Sequence, residues 1–96
     1  ERTHASGVVA PICIILSPTR ELAIQIHGES VKFASCLDNI QTACVYGGTN
    51  VQSQCKQLQT IKPQIIIATP GRLVDLLERD VLTLSHSSIC ILVSLS

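Results

Sequence analysis

Two short segments of this chain place hydroxyl residues, a proline and an arginine directly after an apolar run. Residues 12–16 (ICIIL) precede residues 17–20 (SPTR), and residues 65–68 (IIIA) precede residues 69–72 (TPGR). A hydroxyl residue is a favoured helix N-cap and proline is favoured at the first helical position, so each apolar run is predicted to be a strand leading directly into a helix. The first N–H groups of a helix lack partners and carry partial positive charge. Beside an arginine they favour an anion, and phosphate is the obvious candidate.

We call residues 17–20 the first arginine turn and residues 69–72 the second arginine turn. A third candidate is Gly47-Gly48, the glycine turn, which follows the apolar run at residues 41–46. Glycine has no Cβ, so the backbone there can approach a ligand closely. The candidate binding residues of the three turns are Pro18, Thr19, Arg20, Gly47, Gly48, Thr69, Pro70, Gly71 and Arg72.

The elements that must position these turns follow from the hydrophobic pattern. Strands are predicted at residues 11–16, 41–46, 64–68 and 89–93, and helices at residues 19–35, 50–59 and 71–79. This alternation favours right-handed crossovers and an α/β fold with a parallel sheet and flanking helices. The carboxyl ends of parallel strands share one edge, where ligands bind. The three turns should therefore line that edge together.

Three helical faces are expected to differ in character. The first helix should bury one apolar face, the second is polar with low amphipathicity, and the third should pack leucines on the sheet. The residues of the first face are Leu22, Ala23, Ile26, Phe33 and Ala34, and those of the third are Leu73, Leu76 and Leu77.

Composition narrows the possible partners. Seven basic and seven acidic residues among 96 give a formal charge of zero, which argues against a nucleic-acid binder held by bulk electrostatics. Contact with a polyanion should depend on local groups such as Arg20 and Arg72. No apolar run approaches the roughly 18 residues that a membrane span requires, so we expect no membrane partner.

The five cysteines show no metal-ligand spacing. We expect buried free thiols and a reducing, intracellular compartment, either cytoplasmic or nuclear. The three histidines are scattered and suggest no chemistry. No metal site is predicted.

The motifs and their order resemble those of DEAD-box RNA helicases. Residues 18–23 (PTRELA), 47–48 (GG) and 69–72 (TPGR) are similar to the family's motifs Ia, GG and Ib, and the similarity runs from about Pro11 to Val93. The resemblance implies that residues 1–96 are part of the first of two RecA-like domains, a fold of the P-loop NTPase type. It implies that the three turns hold the sugar-phosphate backbone of a single RNA strand.

The resemblance also implies a role for each side chain. Arg20 and Arg72 would pair with phosphates, Thr19 and Thr69 would supply hydroxyl hydrogen bonds, and N–H groups at the glycines would approach the backbone. Phosphate contacts do not read bases, so binding would be largely independent of sequence.

Other motifs of the family are absent from these 96 residues. There is no GxxxxGK[ST] loop, and Ser94-Leu95-Ser96 stand where the DEAD carboxylates are expected. Complete family members use ATP and Mg²⁺ together with a second RecA-like domain. We therefore expect a fragment that holds no cofactor, has no catalytic residue and cannot hydrolyse ATP alone, because phosphoryl transfer needs the phosphate loop, metal and carboxylates together.

Several alternatives remain open at this point. The fragment could be a noncatalytic module that binds RNA or a protein, or a nonfunctional partial translation. Thr19 and Thr69 could cap helices, the glycine pair could be only a turn, and the arginines could be solvated. Glu21 and Asp75 are expected to be structural partners of nearby basic groups.

Overall fold

The structure is a computed structural model that describes residues 8–91. Four strands alternate with three helices: β1 Cys13–Leu16, α1 Arg20–Ala34, β2 Thr42–Val45, α2 Val51–Ile61, β3 Ile65–Ala68, α3 Pro70–Glu78 and β4 Ser88–Ile91. This is the predicted order. Leu92 and Val93, predicted to end the last strand, lie outside the described residues.

All strand pairs are parallel, and the sheet order is β2-β3-β1-β4. Ile14 of β1 lies opposite Ile66 of β3, which in turn lies opposite Ala43 of β2. This confirms the predicted α/β fold class. The order places β2, β3 and β1 side by side, so the segments that leave their carboxyl ends are neighbours.

Alternate residues of the strands bury on opposite faces, as the two-residue period of a strand requires. On one face, α1 buries Ala23 and Ile26 against Ile67. On the other face, α2 and α3 pack Leu58 and Leu76 into the main hydrophobic core. The strand residues of this core include Ile14, Ala43 and Ile66. Both faces of the sheet thus carry helices, as parallel sheets require.

The second helix is amphipathic, contrary to the expectation of low amphipathicity. Val51, Cys55 and Leu58 lie at helical spacing and pack in the core, and Gln54 is buried beside them. This buried face of α2 has three apolar residues and one polar residue, Gln54. The glutamine interrupts the apolar pattern, so the face was not recognised in the sequence. The helix ends at Ile61, where Lys62 adopts a left-handed conformation (φ 51°).

The first arginine turn differs from the prediction in its register. Thr19 is the N-cap of α1, so Pro18 precedes the cap and does not occupy the first helical position. In the second arginine turn Thr69 is the N-cap and Pro70 is the first helical residue, as predicted. The difference arises because the Thr19 hydroxyl, and not Ser17, accepts the hydrogen bond from the Leu22 N–H (3.1 Å).

Two predicted buried side chains are exposed. Phe33 was assigned to the apolar face of α1 but is 79% exposed. Phe33 lines an open apolar groove together with Cys13, Ile15 and Ile65, so it lies beside the sheet but is not covered on its outer side. Cys36, expected to be a buried thiol, is also exposed because it follows the end of α1, whereas Cys13, Cys44 and Cys55 are partly buried.

No helix within residues 8–91 is long and apolar enough to cross a membrane.

Candidate functional site

The three predicted turns meet at the carboxyl edge of the sheet. The Ser17 N–H donates to the Ala68 carbonyl (2.9 Å), and the Thr69 N–H donates to the Val45 carbonyl (3.1 Å). These bonds join the first arginine turn to the end of β3 and the second arginine turn to the end of β2. The ends of β1, β2 and β3 therefore form one continuous row.

Three helix N-termini point toward this edge, one after each of those strands. Their N-caps are Thr19, Asn50 and Thr69. Thr19 and Asn50 each accept a hydrogen bond from a backbone N–H of their own helix, but the Thr69 side chain makes no such capping bond. The early N–H groups of α3 and the Thr69 hydroxyl therefore remain available to a ligand, and the three helix dipoles add partial positive charge at the edge.

Arg20 is the exposed cation of the site. Its guanidinium carbon lies 5.9 Å from the centroid of the Tyr46 ring, within the range of a cation–π contact. A Cβ placed on Gly48 would lie 3.0 Å from Arg20 Nη1. The Tyr46 ring and the bare backbone of Gly48 together hold the guanidinium beside the glycine turn.

Arg72 lies in a different environment, because its side chain is only 9% exposed. Nη1 donates to Gln54 Oε1 (2.6 Å) and Nη2 donates to the Thr49 carbonyl (3.0 Å). The Nε atom lies 4.0 Å from Asp75 Oδ2. The predicted pairing of Arg72 with a phosphate stays a prediction; in this structure its guanidinium bonds to neighbouring segments of the chain.

Asp75 is a structural partner, as expected. Its Oδ1 accepts a hydrogen bond from Arg79 Nε at 2.8 Å, and this contact raises the pKa of the Arg79 guanidinium. The Oδ2 atom of Asp75 is the oxygen that lies 4.0 Å from Arg72 Nε, so both carboxylate oxygens face arginines.

The structure adds Gln54 and Tyr46 to the site, which sequence analysis did not select. Gln54 is 7% exposed and bonds to Arg72 and to Thr49. A polar residue within the apolar stripe of Val51, Cys55 and Leu58 is the pattern that could have identified it. Tyr46 directly precedes the glycine turn, but its contact with Arg20 joins residues 26 positions apart and has no local sequence pattern.

Within the described part of the chain, no three His, Cys, Asp or Glu side chains are placed to hold a metal ion. What the edge offers is hydrogen-bond donors: backbone N–H groups, threonine hydroxyls and one exposed guanidinium. This set can bind an anion without transferring a proton.

Comparison with known proteins finds similar helicases. The family model described as DEAD/DEAH box helicase matches residues 4–93. The chain is 51% identical over 67 residues to the pre-mRNA-processing ATP-dependent RNA helicase PRP5 of Lodderomyces elongisporus, covering 70% of this chain and 6% of that protein. It is 48% identical over 75 residues to the DEAD-box ATP-dependent RNA helicase 20 of Arabidopsis thaliana, covering 78% and 14%.

A solved structure shows the same fold. The crystal structure of the yeast DEAD-box splicing factor Prp28 superposes with a TM-score of 0.78 at 30% identity, covering 84% of this chain and 19% of that one. The predicted RecA-like fold is thereby confirmed. The 96 residues span only a small part of these relatives, 6% and 14% of the two helicases above.

Proposed function

This chain belongs to the DEAD/DEAH box helicase family, and we propose that its part in such a helicase is to hold the sugar-phosphate backbone of one RNA strand. The observation that supports this most strongly is the convergence of three turns and three helix N-termini on one sheet edge. Each contributes N–H groups or hydroxyls suited to a phosphate. Successive phosphates of one RNA strand could each accept hydrogen bonds from one of the three turns.

The roles divide between side chains and backbone. Arg20 pairs with a phosphate, since it is exposed and held against Tyr46 and Gly48. The hydroxyls of Thr19 and Thr69 donate to phosphate or sugar oxygens, and the N–H groups of Gly48 and Gly71 approach the backbone directly. Pro18, Pro70 and Gly47 shape the turns.

This binding does not read the base sequence. The donors of the site are suited to phosphate oxygens, and phosphate contacts fix the position of a strand without identifying its bases. Tyr46 is in contact with Arg20, and the only other Phe, Tyr or Trp of the sequence, Phe33, lies in the last turn of α1, away from the site. The site thus lacks the row of aromatic platforms that stacks single-stranded bases.

ATP binding and hydrolysis would require parts of a complete helicase other than these 96 residues. DEAD-box helicases use ATP and Mg²⁺, but these 96 residues contain no GxxxxGK[ST] loop and no DEAD carboxylates. The residues present do not fit ATP-Mg²⁺, so the chain alone does not hydrolyse ATP. In the complete protein a second RecA-like domain joins this one, and the protein acts in the nucleus or the cytoplasm.

Binding of fluorescent single-stranded RNA at several salt concentrations tests the proposal. Arg20→Ala should weaken binding about tenfold at low salt and reduce the slope of log K against log salt by about one, because one phosphate contact is lost. Lys32→Ala is the matched control, since Lys32 lies in the last turn of the same helix and removes the same charge. Equal effects of the two substitutions would contradict a site at the carboxyl edge.

A further inference from the structure

Gln54 is one of two buried polar residues in the described part of the chain, the other being Ser17. Both functional atoms of its amide are engaged. Nε2 donates to Thr49 Oγ1 (2.7 Å), and Oε1 accepts from Arg72 Nη1 (2.6 Å). A leucine at this position would pack in the same apolar stripe of α2 and would need no hydrogen-bond partners. Packing alone therefore does not explain a buried amide here.

The hydrogen bonds of Gln54 and Arg72 form a closed ring through Thr49. Arg72 Nη2 donates to the Thr49 carbonyl (3.0 Å), and the Thr49 hydroxyl donates to the Tyr46 carbonyl (3.1 Å). We call Thr49, Gln54 and Arg72 the Gln54 cluster. It joins the residue after the glycine turn, the first turns of α2 and the second arginine turn by side-chain bonds that do not depend on the sheet.

The position of the cluster matters because it lies between two sets of proposed phosphate donors. The glycine turn is on one side, with Gly48 in a left-handed conformation (φ 86°), and the N-terminus of α3 is on the other. The Thr69 side chain makes no capping bond to the N-terminus of α3. The β2–β3 pairing and the backbone bond from Thr69 to Val45 hold the two strand ends together, and the cluster adds side-chain bonds between the segments that follow them.

We propose that Gln54 is a positioning residue that fixes the glycine turn relative to the second arginine turn, through Thr49 and Arg72, so that their N–H groups fit neighbouring phosphates. The inference rests on the proposed function. Holding the donors in place before RNA binds lowers the ordering cost of binding. It also gives Arg72 a second role, since a guanidinium that is 9% exposed acts chiefly on the chain itself.

Gln54→Leu tests the proposal with two measurements on the whole chain. The substitution removes both amide bonds and leaves Arg72 Nη1 without its acceptor. We expect the backbone amide resonances of Gly48 and Gly71 to shift in ¹⁵N NMR spectra of the free chain. We also expect binding of single-stranded RNA to weaken about tenfold with an unchanged salt slope, because no charge is removed.

Two further variants separate positioning from stability. Gln54→Glu keeps an acceptor for Arg72 Nη1 and should return the Gly71 resonance toward its original position. Gln59→Ala changes an exposed glutamine of the same helix and should change neither resonance nor affinity. A general loss of stability would not be corrected by Gln54→Glu.

Folded Gln54→Leu chain that matches Gln59→Ala in both measurements would overturn the proposal. If Gln54→Leu does not fold, Thr49→Val decides at an exposed position. It should shift the Gly71 resonance and weaken RNA binding about threefold, and an unchanged Gly71 resonance with unchanged binding would overturn the proposal. If the unmodified chain binds no RNA, the proposed function fails, and the Gly48 and Gly71 resonances of the variants still decide whether Gln54 positions the two turns.

Discussion

Arg20 and Arg72 occupy similar motifs but lie in different surroundings. Arg20 is exposed above Tyr46, whereas Arg72 is largely covered and bonded to Gln54 and Thr49. The difference follows from the register of the helices: Arg20 is the first residue of α1 and Arg72 is the third residue of α3. A position two residues further into a helix turns the side chain toward α2. Arg20 is therefore open to solvent, and Arg72 is bonded to other segments of the chain.

The two residues of the glycine turn should respond differently to alanine. Gly48 has φ 86°, a conformation that costs an alanine about 1–2 kcal/mol, and its added Cβ would lie 3.0 Å from Arg20 Nη1. Gly48→Ala should lower the free energy of unfolding by about that amount and weaken RNA binding several-fold by displacing the guanidinium. An alanine Cβ at Gly47 would contact nothing within 4 Å, so Gly47→Ala is the control. Chemical denaturation measures the stabilities of the two variants, and RNA titration measures their affinities. Equal stability and equal affinity would contradict this prediction.

The cysteines should differ in reactivity, because only the thiolate is a good nucleophile. Burial raises the pKa of Cys44 to about 11, whereas Cys36 is exposed. At pH 8 iodoacetamide should modify Cys36 well before Cys44, and the rate at Cys44 should rise as the pH increases toward 11. Peptide mass spectrometry measures both rates, with the denatured chain as the control in which the two become similar. Equal rates in the folded chain would show that Cys44 is not shielded.

At the scale of the elements, the site is built by strands that end beside one another and helices that begin there. The caps of α1 and α3 are both threonines but differ in bonding. The Thr19 hydroxyl accepts from the Leu22 N–H, whereas the Thr69 side chain makes no capping bond. The N-terminus of α1 is thus stabilised by its own chain, and that of α3 is left open.

Alanine at each cap tests this difference. Thr19→Ala should lower the free energy of unfolding by about 1 kcal/mol through loss of the cap, and Thr69→Ala should lower it by less. Both should weaken RNA binding if both hydroxyls contact the strand. Urea titration gives the stabilities, and a larger loss in Thr69→Ala would mean that the capping assignment is wrong.

The elements and their order were predictable because hydrophobic period, caps and prolines are local properties of the sequence. The meeting of the three turns was also predictable, since it follows from the geometry of parallel strands. The Gln54 cluster was not, because its bonds join residues 18 and 23 positions apart and depend on how α2 packs. Phe33 was misplaced for a related reason: helical spacing gives its face but does not show whether another element covers that face.

On the scale of the whole molecule, a chain without formal net charge should hold a polyanion only through local groups, as the proposed site requires. Seven basic and seven acidic residues cancel, so the proposed attraction for RNA rests on the donors of the carboxyl edge. The opposite edge carries Asn39 and Lys62, both in left-handed conformations before a strand. A strand of RNA should therefore distinguish the two edges even though the net charge does not.

The most direct test is ¹⁵N NMR mapping of the chain during titration with short single-stranded RNA. If RNA binds at the carboxyl edge, the resonances of Thr19, Arg20, Gly48 and Gly71 should move and those of Asn39 and Lys62 should not. RNAs of different sequence should give the same pattern. Shifts centred on Asn39 and Lys62, or spread evenly over the chain, would contradict an RNA site at the carboxyl edge of the sheet.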